Sequence, residues 1–127
     1  MAIQVLIVDD SATTRQVIER IVRMSDPNVG ECRHAGNGAD ALKILETAWI
    51  DLIFTDLHMP IMDGRELLRR VREHELWRQI PVAIVTSERS DATELELVEL
   101  GADYYQQKPL TPESLKGVFA SLKEMMP

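Results

Sequence analysis

Apolar residues in this chain fall into short continuous runs that alternate with helical stripes. Ile3 to Val8 is nearly all apolar and ends abruptly at Asp9-Asp10-Ser11. That predicts a strand covered on both faces, as in a parallel sheet, because a half-exposed strand would alternate with polar residues. Val17, Ile18, Ile21 and Val22 then recur at helical spacing, until Asp26-Pro27-Asn28 breaks the pattern. Cys32 to Ala35 is a weaker strand signal, followed by the turn Gly36-Asn37-Gly38. Ala41, Ile44, Leu45 and Ala48 mark a second amphipathic helix, and Leu52 to Thr55 a buried strand that ends at Asp56. After the loop from Leu57 to Gly64, a third helix carries Leu67, Leu68 and Val71. Pro81 introduces the strand Val82 to Val85, which ends at Thr86-Ser87. A helix with Leu95 and Val98 follows and stops at Gly101, a natural helix-ending residue. Tyr104 to Gln107 is a last short strand, ending at Lys108-Pro109. Thr111-Pro112 is an N-cap and first-turn pair, and the helix after it buries Leu115, Val118, Phe119 and Leu122.

Strand and helix therefore alternate five times. That rhythm predicts an α/β fold, a parallel sheet with helices on both faces. Right-handed crossovers leave few topologies, and the expected one is the flavodoxin-like doubly wound sheet of order 2-1-3-4-5 with five helices. Residues 1–127 read as a single domain, with no repeat, linker or low-complexity tract.

Composition narrows the function classes. The length suffices for a core without disulfides or a structural metal. A formal net charge of −7 argues against a nucleic-acid or anionic-membrane partner. Cys32 is the only cysteine, which excludes an internal disulfide and fits a reducing compartment. No apolar run approaches the roughly 20 residues of a membrane span, and the start lacks the basic and apolar regions of a signal peptide. The expectation is a cytoplasmic protein.

In such folds chemistry gathers at the carboxyl ends of the strands, near the point where strand order reverses. Here the first strand ends in Asp9-Asp10, the third in Asp56, the fourth in Thr86 and the fifth in Lys108. In the 2-1-3-4-5 order the first and third strands are neighbours, so three carboxylates share one pocket. Like charges that close call for a hard cation, and Mg²⁺ favours oxygen ligands and phosphates. Asp56, in the middle, is placed for nucleophilic attack on phosphorus, with the Thr86 hydroxyl and the Lys108 ammonium available to phosphoryl oxygens.

Several stretches together resemble the receiver domain of two-component response regulators. They are Leu6-Ile7-Val8-Asp9-Asp10-Ser11, Asn37-Gly38-Ala39-Asp40-Ala41-Leu42, Asp56-Leu57-His58-Met59-Pro60-Ile61-Met62-Asp63-Gly64, Thr86-Ser87 and Lys108-Pro109. The resemblance spans essentially the whole chain and looks like a stand-alone, chemotaxis-regulator-like member with no output domain of its own. It implies that Asp56 is the phosphoacceptor and Asp10 the direct Mg²⁺ ligand. It also implies that Asp9 helps hold the metal, usually through water, and that the His58 carbonyl completes the protein's ligands. Thr86 resembles the switch hydroxyl, Lys108 the phosphate-pairing lysine with a cis bond to Pro109, and Tyr105 the aromatic switch. The implied donor is a sensor histidine kinase or a histidine phosphotransfer protein. The implied output is an unnamed target protein read through the face formed by the fourth helix, fifth strand and fifth helix. Whether phosphorylation also drives dimerisation stays open. Such a chain catalyses its own phosphorylation and dephosphorylation but is no metabolic enzyme.

Some residues are particular to this chain. His58 and Glu88 face one opening, where a pair could screen or orient attacking water. Gln106 and Gln107 replace small apolar residues, and strand alternation sends one to each face, one of them partly buried. Glu94, Glu96 and Glu99 make the fourth helix acidic, which suits a polar or basic partner. Arg65, Arg69, Arg70 and Arg72, interleaved with Glu66 and Glu73, read as a solvated face. Trp49 and Trp77 read as packing residues at helix ends. The competing functions are a phosphorylation-independent interaction module and a Mg²⁺-dependent aspartyl-phosphate phosphohydrolase, which usually needs an Asp-x-Asp motif and a cap domain. A flavin protein would place its phosphate against Asp9 and Asp10, which repel it.

Overall fold

The computed structural model describes residues 2–88 and 90–126. Five strands, β1 (Ile3–Val8), β2 (Val29–Ala35), β3 (Leu52–Thr55), β4 (Val82–Thr86) and β5 (Tyr104–Gln107), alternate with five helices. The helices are α1 (Ala12–Ser25), α2 (Gly38–Thr47), α3 (Gly64–Glu73), α4 (Asp91–Glu99) and α5 (Pro112–Met125). All strand pairs are parallel, in the order β2-β1-β3-β4-β5. The expected topology is the one found.

Alternation along each central strand divides the core into two layers. Ile3, Val5 and Ile7 of β1, Leu52 and Phe54 of β3, and Ala83 and Val85 of β4 pack under α1 and α5, where Phe119 meets Phe54. Leu6, Val8, Ile53, Val82 and Ile84 face the other way, against α2, α3 and α4. Each helix starts on a side-chain cap: Ser11, Asn37, Asp63, Ser90 and Thr111 accept from a backbone N–H three residues on. Thr111 and Ser114 complete a reciprocal box, with Pro112 in the first turn.

The structure corrects four local expectations. β2 begins at Val29 rather than Cys32; as an edge strand with alternating burial it carries little apolar signal. Val17 lies on the exposed side of α1. In α4 the residue that enters the core is Leu97, while Leu95 is 61% and Val98 55% exposed. Apolar and acidic residues alternate around that helix, with Leu95, Leu97 and Val98 set among Glu94, Glu96 and Glu99, so no apolar stripe marks its inner face. Trp49 is exposed rather than packed, whereas Trp77 stacks on His74 and touches the core. Gln106 is half-buried and Gln107 exposed, in keeping with one amide on each face.

Candidate functional site

The site grows from the parallel ladder. The Asp56 amide donates to the Val8 carbonyl at 2.9 Å, which sets Asp56 beside Asp9 just past the ends of β3 and β1. Asp9 is buried; its Oδ1 accepts from the Ser11 amide at 2.9 Å and its Oδ2 from Lys108 Nζ at 2.9 Å. Asp56 Oδ1 accepts from the Leu57 amide at 2.7 Å, and its Oδ2 lies 3.2 Å from the same Nζ. Asp10 is exposed, yet one oxygen from each of Asp9, Asp10 and Asp56 falls within a 4.8 Å cluster. All three donors are hard carboxylate oxygens at the mouth of the fold, so the set fits Mg²⁺ better than a softer metal.

Lys108 reaches this pocket from two strands away. Its amide donates to the Thr86 carbonyl at 2.9 Å, and a cis bond leads on to Pro109. Burial works against its ammonium, but the hydrogen bond to Asp9 and the charge and hydrogen bond of Asp56 outweigh it and raise the Lys108 pKa. One cation thus offsets part of the repulsion between two carboxylates.

Thr86, at the end of β4, is buried, and its Oγ1 accepts from the Glu88 amide at 3.2 Å. The Tyr105 hydroxyl donates to the Glu88 carbonyl at 2.8 Å. Residue 88 is therefore held at its N–H by one candidate switch residue and at its C=O by the other. Burial first, then the carboxylates of Glu88 and Glu94, pushes the Tyr105 phenol up. The His58 imidazole is largely exposed and sits 3.9 Å from Glu88 Oε2, which has no hydrogen-bond partner among the described residues. Asp9, Asp10, Asp56 and Lys108 thus converge on one point, Thr86 and Tyr105 share the adjoining loop, and His58 stands at the rim.

Sequence reasoning missed three supports. Arg15 Nη1 donates to the Asp9 carbonyl at 2.6 Å, and its Nε lies 3.3 Å from His34 Nδ1. His34 Nε2 in turn meets Glu19 at 2.6 Å. Gly64 lets α3 start directly against the Asp56 carbonyl, where a side chain would not fit. Ile61, in the loop between, has φ of 69°, an uncommon backbone for a β-branched residue, with the Met62 amide turned back onto the Pro60 carbonyl. Gly64 follows an aspartate in a motif that could have flagged it; Arg15 and Ile61 carry no sequence signal of their role.

The family model described as "Response regulator receiver domain" matches residues 5–120. The chain is 36% identical over 113 residues to the chemotaxis protein CheY of Pseudomonas aeruginosa, a match covering 89% of this chain and 90% of that protein. The solved structure of the chemotaxis response regulator CheY4 of Vibrio cholerae superposes with a TM-score of 0.83 at 30% identity, over 96% of this chain and 99% of that one. A protein-glutamate methylesterase/protein-glutamine glutaminase of Halalkalibacterium halodurans is 41% identical over 115 residues, 89% of this chain but 32% of that protein. The chain belongs to the response regulator receiver domain family of two-component signalling, and within it is CheY-like.

Proposed function

We propose that Asp56 accepts a phosphoryl group from a sensor histidine kinase or a histidine phosphotransfer protein, and that the change is read by a partner through Thr86 and Tyr105. The observation that carries this reading is the Lys108 ammonium set between Asp9 and Asp56 beside a third carboxylate. Asp9, Asp10 and Asp56, with the His58 carbonyl, would hold Mg²⁺. When bound, the ion would neutralise charge on the phosphoryl oxygens.

An Asp56 oxygen attacks phosphorus and forms a P–O bond. The P–N bond to the donor imidazole breaks, and its electron pair stays on that nitrogen. The Leu57 amide, already on Asp56 Oδ1, fixes the carboxylate plane during attack. Lys108 then pairs with a phosphoryl oxygen in place of part of its present hold on Asp9 and Asp56. Thr86 donates its hydroxyl to another phosphoryl oxygen and releases the Glu88 amide. The Glu88 carbonyl is the acceptor of Tyr105, so that release changes how the ring is held. This is a shift between two packings, and near-complete switching needs about 5.5 kcal/mol of differential stabilisation. Water later hydrolyses the acyl phosphate; no metabolic substrate is part of the cycle.

Leu95 and Val98 lie exposed on α4 beside its carboxylates, one of which, Glu94, acts on the Tyr105 phenol; that surface suits a target with apolar and cationic groups. Among the described residues no helix is long and apolar enough to cross a membrane. The test is intact mass after incubation with acetyl phosphate, with and without Mg²⁺. One phosphoryl adduct that needs Mg²⁺ and vanishes in Asp56→Asn is the expected result. No adduct, together with no binding of a beryllofluoride mimic, would leave a phosphorylation-independent interaction module as the function.

A further inference from the structure

At the end of the sheet opposite the acidic pocket, the loops before β3 and β4 meet the last turn of α5. Trp49 is 79% exposed, Leu76 82% and Met125 58%. Scattered apolar residues on a surface are ordinary, but these three rim two adjoining depressions. The larger, about 570 Å³, is floored by Ile50, Ile80 and Leu122, and the smaller, about 360 Å³, shares Trp49, Ile50, Leu76 and Ile80 with it.

The tryptophan is also fixed in place. Its Nε1 donates to Asp51 Oδ1 at 2.8 Å, and Asp51 Oδ2 accepts from the Gln4 amide at 2.8 Å. An exposed ring tied to the backbone in this way loses little freedom on binding, which favours its use as an anchor.

Charge then selects the occupant. Glu46 and Asp51 line the depressions and have no ion-pair partner among the described residues, and no lysine or arginine lines either one. A second copy would bring the same carboxylates face to face between chains that each carry a formal charge of −7. An anionic lipid surface is repelled for the same reason. We infer that this groove docks an amphipathic, cationic segment of another protein, whose apolar ridge seats on Trp49 and Leu76 and whose lysines or arginines meet Glu46 and Asp51. Helix-in-groove recognition has this form. The site lies away from Asp56 and does not depend on phosphorylation chemistry.

The probe is a synthetic leucine–lysine peptide of about 18 residues, five turns of helix, with its leucines on one face. A leucine–glutamate peptide of the same pattern is the control. The full chain is followed by amide NMR during titration. Expected is saturable binding of the lysine peptide, with shifts confined to Trp49–Asp51, Leu76–Ile80 and Leu122–Met125, and no binding of the glutamate peptide. Trp49→Ala and Leu76→Ala, both at exposed positions and checked for native spectra, should each weaken binding by about ten-fold, the scale of an interface anchor. Shifts spread over the acidic surface, or binding unchanged in both variants, overturn the inference. So does a dimer of the protein alone, seen by sedimentation and lost in Trp49→Ala, because the occupant is then a second copy.

Discussion

Replacing Gly64 with alanine would set a Cβ 2.1 Å from the Asp56 carbonyl oxygen and 3.0 Å from Leu57 Cα. Normal carbon contacts lie at roughly 3.5–4 Å, so something must move by about 1 Å. The atoms struck are backbone, and they are tied down. The Gly64 amide donates to the Leu57 carbonyl at 2.9 Å, the Asp56 amide to Val8, and the Thr55 hydroxyl to the Asp56 carbonyl at 2.9 Å. Forced packing of this kind costs about 1–3 kcal/mol. Against it stands the ordinary benefit of alanine over glycine in a helix, about 0.5–1 kcal/mol. The clash wins, and a net loss of about 1–2 kcal/mol is expected. Displacing the reacting carboxylate by about 1 Å should also slow phosphorylation on the order of 100-fold. Gly117, exposed in the middle of α5, provides the opposite case. Its added Cβ would meet nothing within 4 Å, so alanine there should stabilise by about 0.5–1 kcal/mol and leave phosphorylation alone. Urea unfolding by circular dichroism gives the stabilities, and an intact-mass time course with acetyl phosphate gives the rates. A Gly64→Ala protein as stable as wild type and phosphorylated at the same rate would refute the claim that close backbone packing fixes Asp56.

Three further outcomes are expected. Ile61→Asn, at a φ of 69° that asparagine tolerates better, should raise stability by about 1 kcal/mol in urea titration. Leu97→Ala should cost about 2–5 kcal/mol and Leu95→Ala less than about 0.5, since the first empties a buried site and the second an exposed one. For acid stability, burial alone would raise the Asp26 carboxyl, but the hydrogen bonds from Lys123 and the Asn28 amide outweigh it and hold the pKa below the usual 3.8. The stabilisation is therefore present above pH 3.8 and is lost as the pH falls through the lowered value. Asp26→Asn should be less stable than wild type at neutral pH and should lose less between pH 5 and 2, as read from thermal midpoints.

The architecture was legible because its central strands are buried on both faces. The continuous apolar runs of β1, β3 and β4 could hardly be anything else, and the residue ending each run named the pocket: Asp9, Asp56, Thr86. Where one side of an element meets solvent, the signal weakened. β2 lost its first residues to alternating burial, and α4 hid its inward Leu97 in a sequence where leucine, valine and glutamate alternate without a helical stripe. Trp49 misled because size and aromaticity suggest burial, while its indole is satisfied by Asp51 in the same loop. Arg15 could not be foreseen, since nothing in a helical arginine shows which carbonyl it will reach. Direct contacts between Lys108 and both Asp9 and Asp56 depend on strand order, and became predictable only once that order was assumed.

The shared grip on residue 88 runs in both directions. Thr86 holds its amide and Tyr105 its carbonyl, so on the proposed mechanism the two hydroxyls compete through one backbone segment. Thermodynamic reciprocity then requires that a target preferring one placement of Tyr105 alter the phosphorylation equilibrium by the same factor that phosphorylation alters its affinity. The target would be a co-determinant of the phosphorylation equilibrium itself, and the level of phosphorylated protein would rise or fall with the abundance of its reader.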